Sequence, residues 1–482
     1  MSWKSLSRPL PSRNPRTSAK FASSVVHPES PKDSTDNRDA HTIYGIIAGY
    51  EDQNDHDTLR YDPVFQLVCD RLPEAGAETA SQPTLSRFEN GVSIPALFRL
   101  RELMVDQFLD SFDTPPSRLV LDLDGFDDPA HGQQQLTLFH GYYEQNQYFP
   151  LIITNAETGL VVMVSLRHGT AHASLAADED LEFVVTKMRQ RWPDVDIEVR
   201  ADSGFGVPAM YEVCERLRVW YTFGIGMNSR LKRESEDLLE TAVTEYGRTD
   251  QKQRLFTALT DQAQTWDRPR SVVIKAECHA VGTNRRAVVT NRPGAMILPQ
   301  GIYDEYVQRG ESENRNKELK IDLCGERLSD HRFMANLFRF MMHAAALNLL
   351  IRLRRTLPEV PPQDRRRAPL PDAERPAPPP GAELRHAQPA TWRLRLIKVA
   401  AEVLVSCRRV LIRLSSAWPG LPTWRGAANR PTLLTPLLRR RHPEPVRQSI
   451  ITQGRGPSAP THPKTPHPEQ STTTPKKQQP HE

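Results

Sequence analysis

The chain has 482 residues, of which 38% are hydrophobic and 41 are proline, a composition that predicts disordered segments beside an ordinary folded core. Its net charge of +4 does not by itself call for a nucleic-acid partner, although a local basic patch is enough to bind DNA. Five cysteines without a Cys-x-x-Cys pair argue against a zinc ribbon or a disulfide framework and suit a reducing cytoplasm. Neither a secretory signal nor an apolar run of about 18 residues is found, so no membrane span is expected.

The N-terminal part of the chain divides into two segments. Residues 1–40 are rich in Ser, Pro, Arg and Asn without periodicity, which predicts disorder. Residues 41–115 are predicted to be helical, with one short helix at Pro63–Cys69 and a second at Gln82–Asn90. The second helix leaves Arg87 facing outward. Two short helices joined by a glycine-containing turn fit either a helix-turn-helix or the cap of an ordinary helical bundle.

Strand patterns alternate with one helix between residues 118 and 205. The predicted elements are strands at Leu119–Leu123, Tyr142–Thr154, Leu160–Leu166 and Val195–Arg200, with a helix at Leu181–Trp192. Three antiparallel strands, a helix and a further strand form the beginning of a ribonuclease H-like sheet. We therefore predict an α/β fold with a catalytic domain over residues 116–356.

Acidic residues follow two of these strands. Asp122 and Asp124, separated by Leu123, follow the aliphatic run Leu119–Leu121, and Asp202 follows the strand Val195–Arg200 with one residue between them. Asp122 and Asp124 fall on the same side of a strand, so the pattern leaves open which of them joins Asp202. Asp202 itself fits either a site carboxylate or the cap of a turn.

Residues 207–300 contain further short strands and one isolated aromatic residue. The strands are predicted at Trp220–Ile225, Leu255–Leu259, Arg270–Lys275 and Arg286–Thr290, the last of which alternatively returns to the main sheet. Trp266 lies close to two arginines, so it either stacks on an extruded DNA base or packs at the edge of the fold.

The stretch Tyr306–Lys320 is predicted to be a helix anchored by the apolar run Phe333–Leu350. Steps of three, four and seven residues place five side chains on one face: Tyr306, Arg309, Glu313, Lys317 and Lys320. The alternative is a solvated face with ordinary ion pairs. Glu311 and Glu318 compete with Glu313, although Glu318 lies off the face.

Two carboxylates at strand ends and one on a helix are what a two-metal phosphoryl-transfer site requires. Oxygen ligands suit Mg²⁺, and two ions about 4 Å apart hold both the attacking and the leaving oxygen. We predict that Asp124, Asp202 and Glu313 are the catalytic metal ligands for two Mg²⁺ ions, for which Mn²⁺ is able to substitute.

The spacing Tyr306-x2-Arg309-x3-Glu313-x6-Lys320 resembles the Tyr-Arg-Glu-Lys signature of one group of DDE-type insertion-sequence transposases. Four more stretches resemble one branch of that group, in the same order along the chain: Leu123–Gln133, Leu166–Ser174, Ala201–Gly206 and Leu323–Phe333. The resemblance extends over residues 43–425.

The resemblance implies a transposase that binds the terminal inverted repeats of its element and catalyses metal-dependent strand cleavage and strand transfer. It aligns the first acid with Asp124 and implies a β-rich insertion at about residues 207–285. It favours a small helical DNA-binding domain at the N-terminus that recognises the element ends. The residues expected to contact DNA are Tyr306, Arg309, Lys317, Lys320, Arg87 and Trp266. Double-stranded DNA, a homodimeric synaptic complex and a bacterial cytoplasmic, nucleoid-associated location are implied as well.

The C-terminal part changes character. Residues 357–390 are predicted to be a Pro/Arg linker, residues 391–425 a basic amphipathic helix, and residues 426–482 a disordered tail. One alternative function is a catalytically inactive, element-end-binding remnant or repressor, which an unmatched N-terminal segment keeps open. Another is a ribonuclease H-like nuclease with a different substrate. The presence of all three acids argues against point inactivation.

Overall fold

The computed structural model describes residues 3–6, 38–69, 71–73, 78–359, 381–406 and 409–428. The strands are β1 Trp3–Leu6, β2 Arg118–Gly125, β3 Asp128–Pro129, β4 Leu138–His140, β5 Gln145–Tyr148, β6 Leu151–Asn155, β7 Val161–Ser165, β8 Asp196–Ala201, β9 Trp220–Ile225, β10 Gln253–Asp261, β11 Arg270–His279, β12 Gly282–Thr290, β13 Ala401–Ser406 and β14 Arg409–Ser415. The α-helices are α1 Arg38–Ala48, α2 His56–Leu59, α3 Pro63–Val68, α4 Gln82–Asn90, α5 Ile94–Leu109, α6 Ala177–Arg191, α7 Pro208–Arg216, α8 Ser229–Glu234, α9 Glu236–Thr249, α10 Pro299–Val307, α11 Gly310–Lys317, α12 Phe333–Arg354, α13 Pro389–Trp392 and α14 Leu421–Ala428.

An eight-stranded mixed sheet, in the order β10-β11-β12-β9-β8-β2-β6-β7, carries the central part of the chain. The aliphatic strand β2 lies inside it, buried from Leu119 to Asp124, with β8 parallel on one side and β6 antiparallel on the other. The next strand, β9, is parallel to β8. The strands predicted at Leu119–Leu123, Leu160–Leu166 and Val195–Arg200 are thus confirmed, and the fold is α/β. The prediction of one strand at Tyr142–Thr154 is wrong, because β5 pairs with β3 and β4 in a separate three-stranded sheet and only β6 joins the main sheet.

The β-rich insertion predicted at about residues 207–285 falls on a segment that contains strands as well as helices, and its status as an insertion stays a prediction. The segment contributes the helices α7 to α9, while β10, β11 and β12 extend the main sheet as antiparallel neighbours. The apolar end of β12, Ala287–Thr290, pairs with β9. These residues are buried and join the main sheet. This outcome is the alternative that the sequence left open for the strand at Arg286–Thr290.

The N-terminal helices share one hydrophobic core with the sheet. Phe88 of α4 packs edge to face on Phe338 of α12, with ring centroids 5.3 Å apart. Ile46 and Leu100 belong to the same buried cluster as Val199 of β8. The segment 41–115 is therefore helical, as predicted, but it is not a separate domain with its own core, because its apolar faces are covered by α12 and β7.

Helix α12 runs through this shared core. Its length and composition are those of a helix able to cross a membrane, but 72% of its most apolar 18-residue stretch is buried inside the protein. It is the only such helix in the part of the chain that the structure describes.

The basic amphipathic helix predicted over residues 391–425 is wrong. The chain forms α13, a single π-helical turn at Arg393–Ile397, and then the hairpin β13–β14, in which Val403 pairs with Ile412. β-Branched residues at alternate positions favour strands, and their spacing also fits a helical stripe, so the sequence pattern alone is ambiguous.

Strand β1 pairs antiparallel with β14, so the predicted disorder of residues 1–40 is contradicted at Trp3–Leu6 and at the start of α1. An edge strand can recruit a short partner that has no periodic pattern of its own. Residues 7–37, most of the predicted linker (360–380) and the tail from 429 onward lie outside the described residues.

One buried acid at the junction between the helices and the sheet makes the stability dependent on pH. Glu89 of α4 is 2% exposed, and the nearest Arg339 nitrogen is 3.9 Å from its Oε2. Burial raises the pKa of Glu89 from 4.5 to about 7; Arg339 opposes this shift and Asp330 adds to it. The folded state therefore retains a proton that the unfolded state releases, and stability is lost as the pH rises from 4.5 through 7.

We expect Glu89→Gln to remove this dependence and to raise the free energy of unfolding at pH 8 by about 1–3 kcal/mol. The measurement is urea unfolding of both proteins at pH 5 and pH 8. Glu311→Gln, at an exposed position, is the matched control. Equal pH dependence in the wild type and in Glu89→Gln would contradict the prediction.

Candidate active site

Two aspartates lie side by side at the carboxyl end of the central parallel strands. Leu123 of β2 is in register with Ala201 of β8, so Asp124 and Asp202, the next residues, follow at the same level of the sheet. Asp124 Oδ1 accepts a hydrogen bond of 2.9 Å from the N–H of Gly125. Asp202 Oδ1 accepts one of 2.9 Å from Gly204 and caps a short helical turn. The turn-capping role of Asp202 thus coexists with its place at the sheet edge.

Arg309 connects the third acid to this pair. Its Nη1 lies 3.4 Å from Asp124 Oδ2, and its Nη2 lies 3.1 Å from Glu313 Oε1. Burial raises the pKa of Asp124 to about 6; Arg309 opposes this shift, while the charges of Asp202 and Glu313 add to it. Burial alone would lower the pKa of Arg309, but the surrounding acids and Tyr306 hold it above its usual value. The three predicted carboxylates therefore act on one another and on one arginine.

Asp122, the competitor for the first position, is engaged elsewhere. Its two carboxylate oxygens accept from Arg200 Nε and Nη2 at 2.7 and 2.8 Å, and both side chains are buried. Asp124 instead faces Arg309 and Ser312, whose Oγ is 3.4 Å from Asp124 Oδ2. This difference favours Asp124 over Asp122. Ser312 carries no signal in the sequence, because a serine beside an acid is common in any helix.

The stretch Tyr306–Lys320 is not one continuous helix, in contrast to the prediction. Helix α10 ends at Val307, α11 begins at Gly310, and a π-helical turn follows at Glu318–Asp322. Glycine weakens a helix at the first break. At the second, Glu318 is buried and bonded to Arg354 Nη1 at 3.0 and 3.1 Å, which excludes it as the third site acid.

The breaks change where the predicted cations lie. Lys320 turns towards the loop after β2 and donates a 2.8 Å hydrogen bond to Asp127. Lys317 is exposed on α11. The hydroxyl of Tyr306 lies beside the backbone of β9, where a Cβ at Gly224 would be only 2.7 Å from it. Tyr306, Arg309, Glu313 and Lys320 thus border the site, and Lys317 points to solvent.

Two of the loops that resemble transposase motifs are held by hydrogen bonds to backbone carbonyl groups. Arg167 donates to the carbonyl groups of Phe149 at 2.9 Å and Ala173 at 2.5 Å, and burial lowers the pKa of its guanidinium to about 10. His131 hydrogen-bonds through Nε2 to the carbonyl of Glu326 at 2.9 Å. These contacts tie the loops after β3 and β7 to their surroundings, and they give His131 a structural partner.

Trp266 does not lie on a DNA-facing surface. It is 9% exposed and packs edge to face on Tyr211 of α7, with ring centroids 5.5 Å apart. Arg270 lies over the Trp266 ring at 5.7 Å. The prediction that Trp266 stacks on a base is therefore wrong, and the packing alternative describes it. Arg87 is exposed on α4, as its helical position indicated.

Carboxylates gathered at the ends of the central strands of a mixed sheet are typical of metal-dependent enzymes that transfer phosphoryl groups. Residues 33–366 match the model of a family described as transposase DDE domain group 1. The chain belongs to this family; it is a DNA transposase, an enzyme of DNA phosphoryl transfer. No curated protein matches the chain. A similar solved structure is the cryo-EM structure of the piggyBac transposase synaptic complex with hairpin DNA, 13% identical, covering 69% of this chain and 70% of that chain at a TM-score of 0.36.

DDE transposases generally use divalent metal ions. Within the described ranges, no group of three His, Cys, Asp or Glu side chains is close enough to hold a metal ion as it stands. The donors at the site are carboxylate oxygens, which Mg²⁺, Mn²⁺ and Ca²⁺ prefer. Chemically the residues fit such an ion, while Arg309 supplies the positive charge between Asp124 and Glu313.

Proposed function

We propose that this transposase belongs to the group with the Tyr-Arg-Glu-Lys signature and cuts and joins the ends of its own element through Asp124, Asp202 and Glu313. The observation that carries the proposal is the level register of Asp124 and Asp202, with Glu313 joined to Asp124 through Arg309. An inactive end-binding remnant is not favoured, because all three acids are present and act on one another.

The proposed catalytic fold is ribonuclease H-like. The order β7-β6-β2-β8-β9 supports it, since the first strand is central, an antiparallel hairpin lies on one side, and two parallel strands lie on the other. In such a sheet the active residues meet at the carboxyl ends of the central strands. This is where Asp124 and Asp202 are found.

Asp124, Asp202 and Glu313 would hold two Mg²⁺ ions. Bound ions would activate water or a freed 3′-hydroxyl and neutralise charge on the phosphate. The role of Arg309 is to balance the acids in the present state and then to turn towards a phosphate oxygen. Its two contacts at 3.1 and 3.4 Å are long enough to be exchanged for a phosphate.

The remaining cations would position DNA rather than react. Lys320 and Lys317 would contact phosphates, Tyr306 would orient one, and the exposed Arg87 would contact the inverted repeats. The proposed partners are double-stranded element ends and target DNA, which a homodimer would hold together. The proposed location is the compartment that contains the cell's DNA.

We expect Glu313→Gln to reduce excision from a supercoiled donor plasmid by at least roughly 100-fold in Mg²⁺. The donor carries the sequences that flank the coding region, and the excised product is quantified on gels. Glu311→Gln, two residues away on the same helix and also exposed, is the matched control and should excise like the wild type. Equal excision by Glu313→Gln and the wild type would remove Glu313 from the site.

A further inference from the structure

A group of exposed aromatic rings lies on the β4–β5 hairpin, which we define as residues 136–149. Tyr142 is 84% exposed and Tyr143 38%. Phe139, the residue before His140 on β4, points to the opposite face of the hairpin and is not part of this group. Tyr142 is the most exposed aromatic side chain of the described residues whose burial is defined. Soluble proteins seldom leave several large rings together in solvent, and such patches mark binding surfaces.

The rings form a ladder that leads from the interior to solvent. Phe149 is stacked near His140 at 6.2 Å, His140 lies 5.0 Å from Tyr143, and Tyr143 lies 5.0 Å from Tyr142. A Cβ added at Gly125, the residue after Asp124, would lie 3.3 Å from the Phe149 ring. The inner end of the ladder therefore adjoins the acid at the end of β2.

The hairpin is held in place on the site. Gln145 Nε2 donates to Asp127 Oδ2 at 3.2 Å, and Asp127 in turn accepts from Lys320. Gly169, in the loop after β7, packs so closely that a Cβ there would overlap the carbonyl oxygens of Gln147 and Leu138. The exposed rings are thus presented by a fixed support, which lowers the entropic cost of binding.

We propose that Tyr142 and Tyr143 stack on unpaired DNA bases beside the phosphodiester that is cut. The inference rests on the proposed function, because it takes its occupant from the DNA that must lie at Asp124 and Asp202. Aromatic faces stack on every base without regard to sequence, and each stacked base is expected to contribute roughly tenfold in affinity. Lys320, bonded to the same Asp127 that holds the hairpin, would fix the neighbouring phosphate. A surface for a second copy of the chain is the competing occupant.

The test uses the full chain in EDTA, so that binding is measured without cleavage. The probes are a duplex oligonucleotide with an internal loop of unpaired thymines around one 2-aminopurine, and the same duplex fully paired. We expect the wild type to bind the looped probe about tenfold more tightly than the paired one and to quench the 2-aminopurine fluorescence. Tyr142→Ala should lose both effects, Tyr142→Trp should keep them, and Tyr61→Ala, an exposed ring on the N-terminal helical segment, should behave like the wild type.

Retention of loop preference and quenching by the double variant Tyr142→Ala, Tyr143→Ala would overturn the proposal. A shift of the monomer–dimer equilibrium in that variant, measured by sedimentation with loop binding unchanged, would overturn it in favour of a second copy. Binding in EDTA does not depend on Glu313, whereas excision does. Failure of the stacking proposal is therefore distinguishable from failure of the proposed metal site.

Discussion

Asp124→Asn and Asp202→Asn are each expected to reduce strand cleavage by at least roughly 10³-fold, because either change removes a metal-binding oxygen from the centre of the site. Folding should survive the change at Asp124. Burial raises the pKa of this carboxyl to about 6, so its charged form is disfavoured in the folded protein and a neutral amide is tolerated. Single-turnover cleavage of a labelled element end in Mg²⁺, together with thermal unfolding, measures both effects.

The matched control for these variants is Asp127→Asn in the loop after β2. Asp127 is bonded to Lys320 and Gln145 and is not one of the proposed ligands, so its replacement should weaken DNA positioning but spare most of the cleavage. Cleavage by Asp124→Asn within tenfold of the wild type would show that the first ligand lies elsewhere.

Asp122→Asn is expected to act on stability instead, lowering the free energy of unfolding by about 3–5 kcal/mol. The change leaves the buried guanidinium of Arg200, at present bonded to both oxygens of Asp122, without its counter-charge. Urea unfolding at neutral pH measures the loss. The double variant Asp122→Leu, Arg200→Met should recover much of it, because an apolar pair removes both charges together.

The opposite outcome for Asp122 would be equally informative. A variant that unfolds like the wild type but no longer cleaves DNA would assign the first carboxylate to Asp122 and leave Asp124 as a supporting group. Measuring Asp122→Asn and Asp124→Asn side by side therefore decides between the two positions that the strand pattern alone left open.

The central sheet and the meeting of Asp124 with Asp202 were predictable, because aliphatic runs form buried strands and parallel neighbours end at one edge. The breaks in Tyr306–Lys320 were not. One of them accompanies the buried pairing of Glu318 with Arg354, a contact 36 residues away that leaves no trace in local spacing. The helix predicted over residues 391–425 was wrong for another reason. The valines and leucines of β13 and β14 fit both a helical stripe and an alternating strand. The prediction that Trp266 contacts DNA depended on two neighbouring arginines. One of them, Arg270, instead packs over the Trp266 ring in the interior.

The packing of Phe88 on Phe338 bears on the distance along the DNA between the recognised base pair and the cut phosphate. Helix α4, which carries Arg87, packs into the same core as the strands that precede Asp124 and Asp202. If Arg87 contacts the element end as proposed, the base pair that it contacts would lie at a fixed distance from the cut phosphate. Inserting one base pair between the two points would shift the cut phosphate by about 3.4 Å and turn it by about a tenth of a helical turn. The shared packing of α4 with the sheet would oppose a matching movement of Arg87.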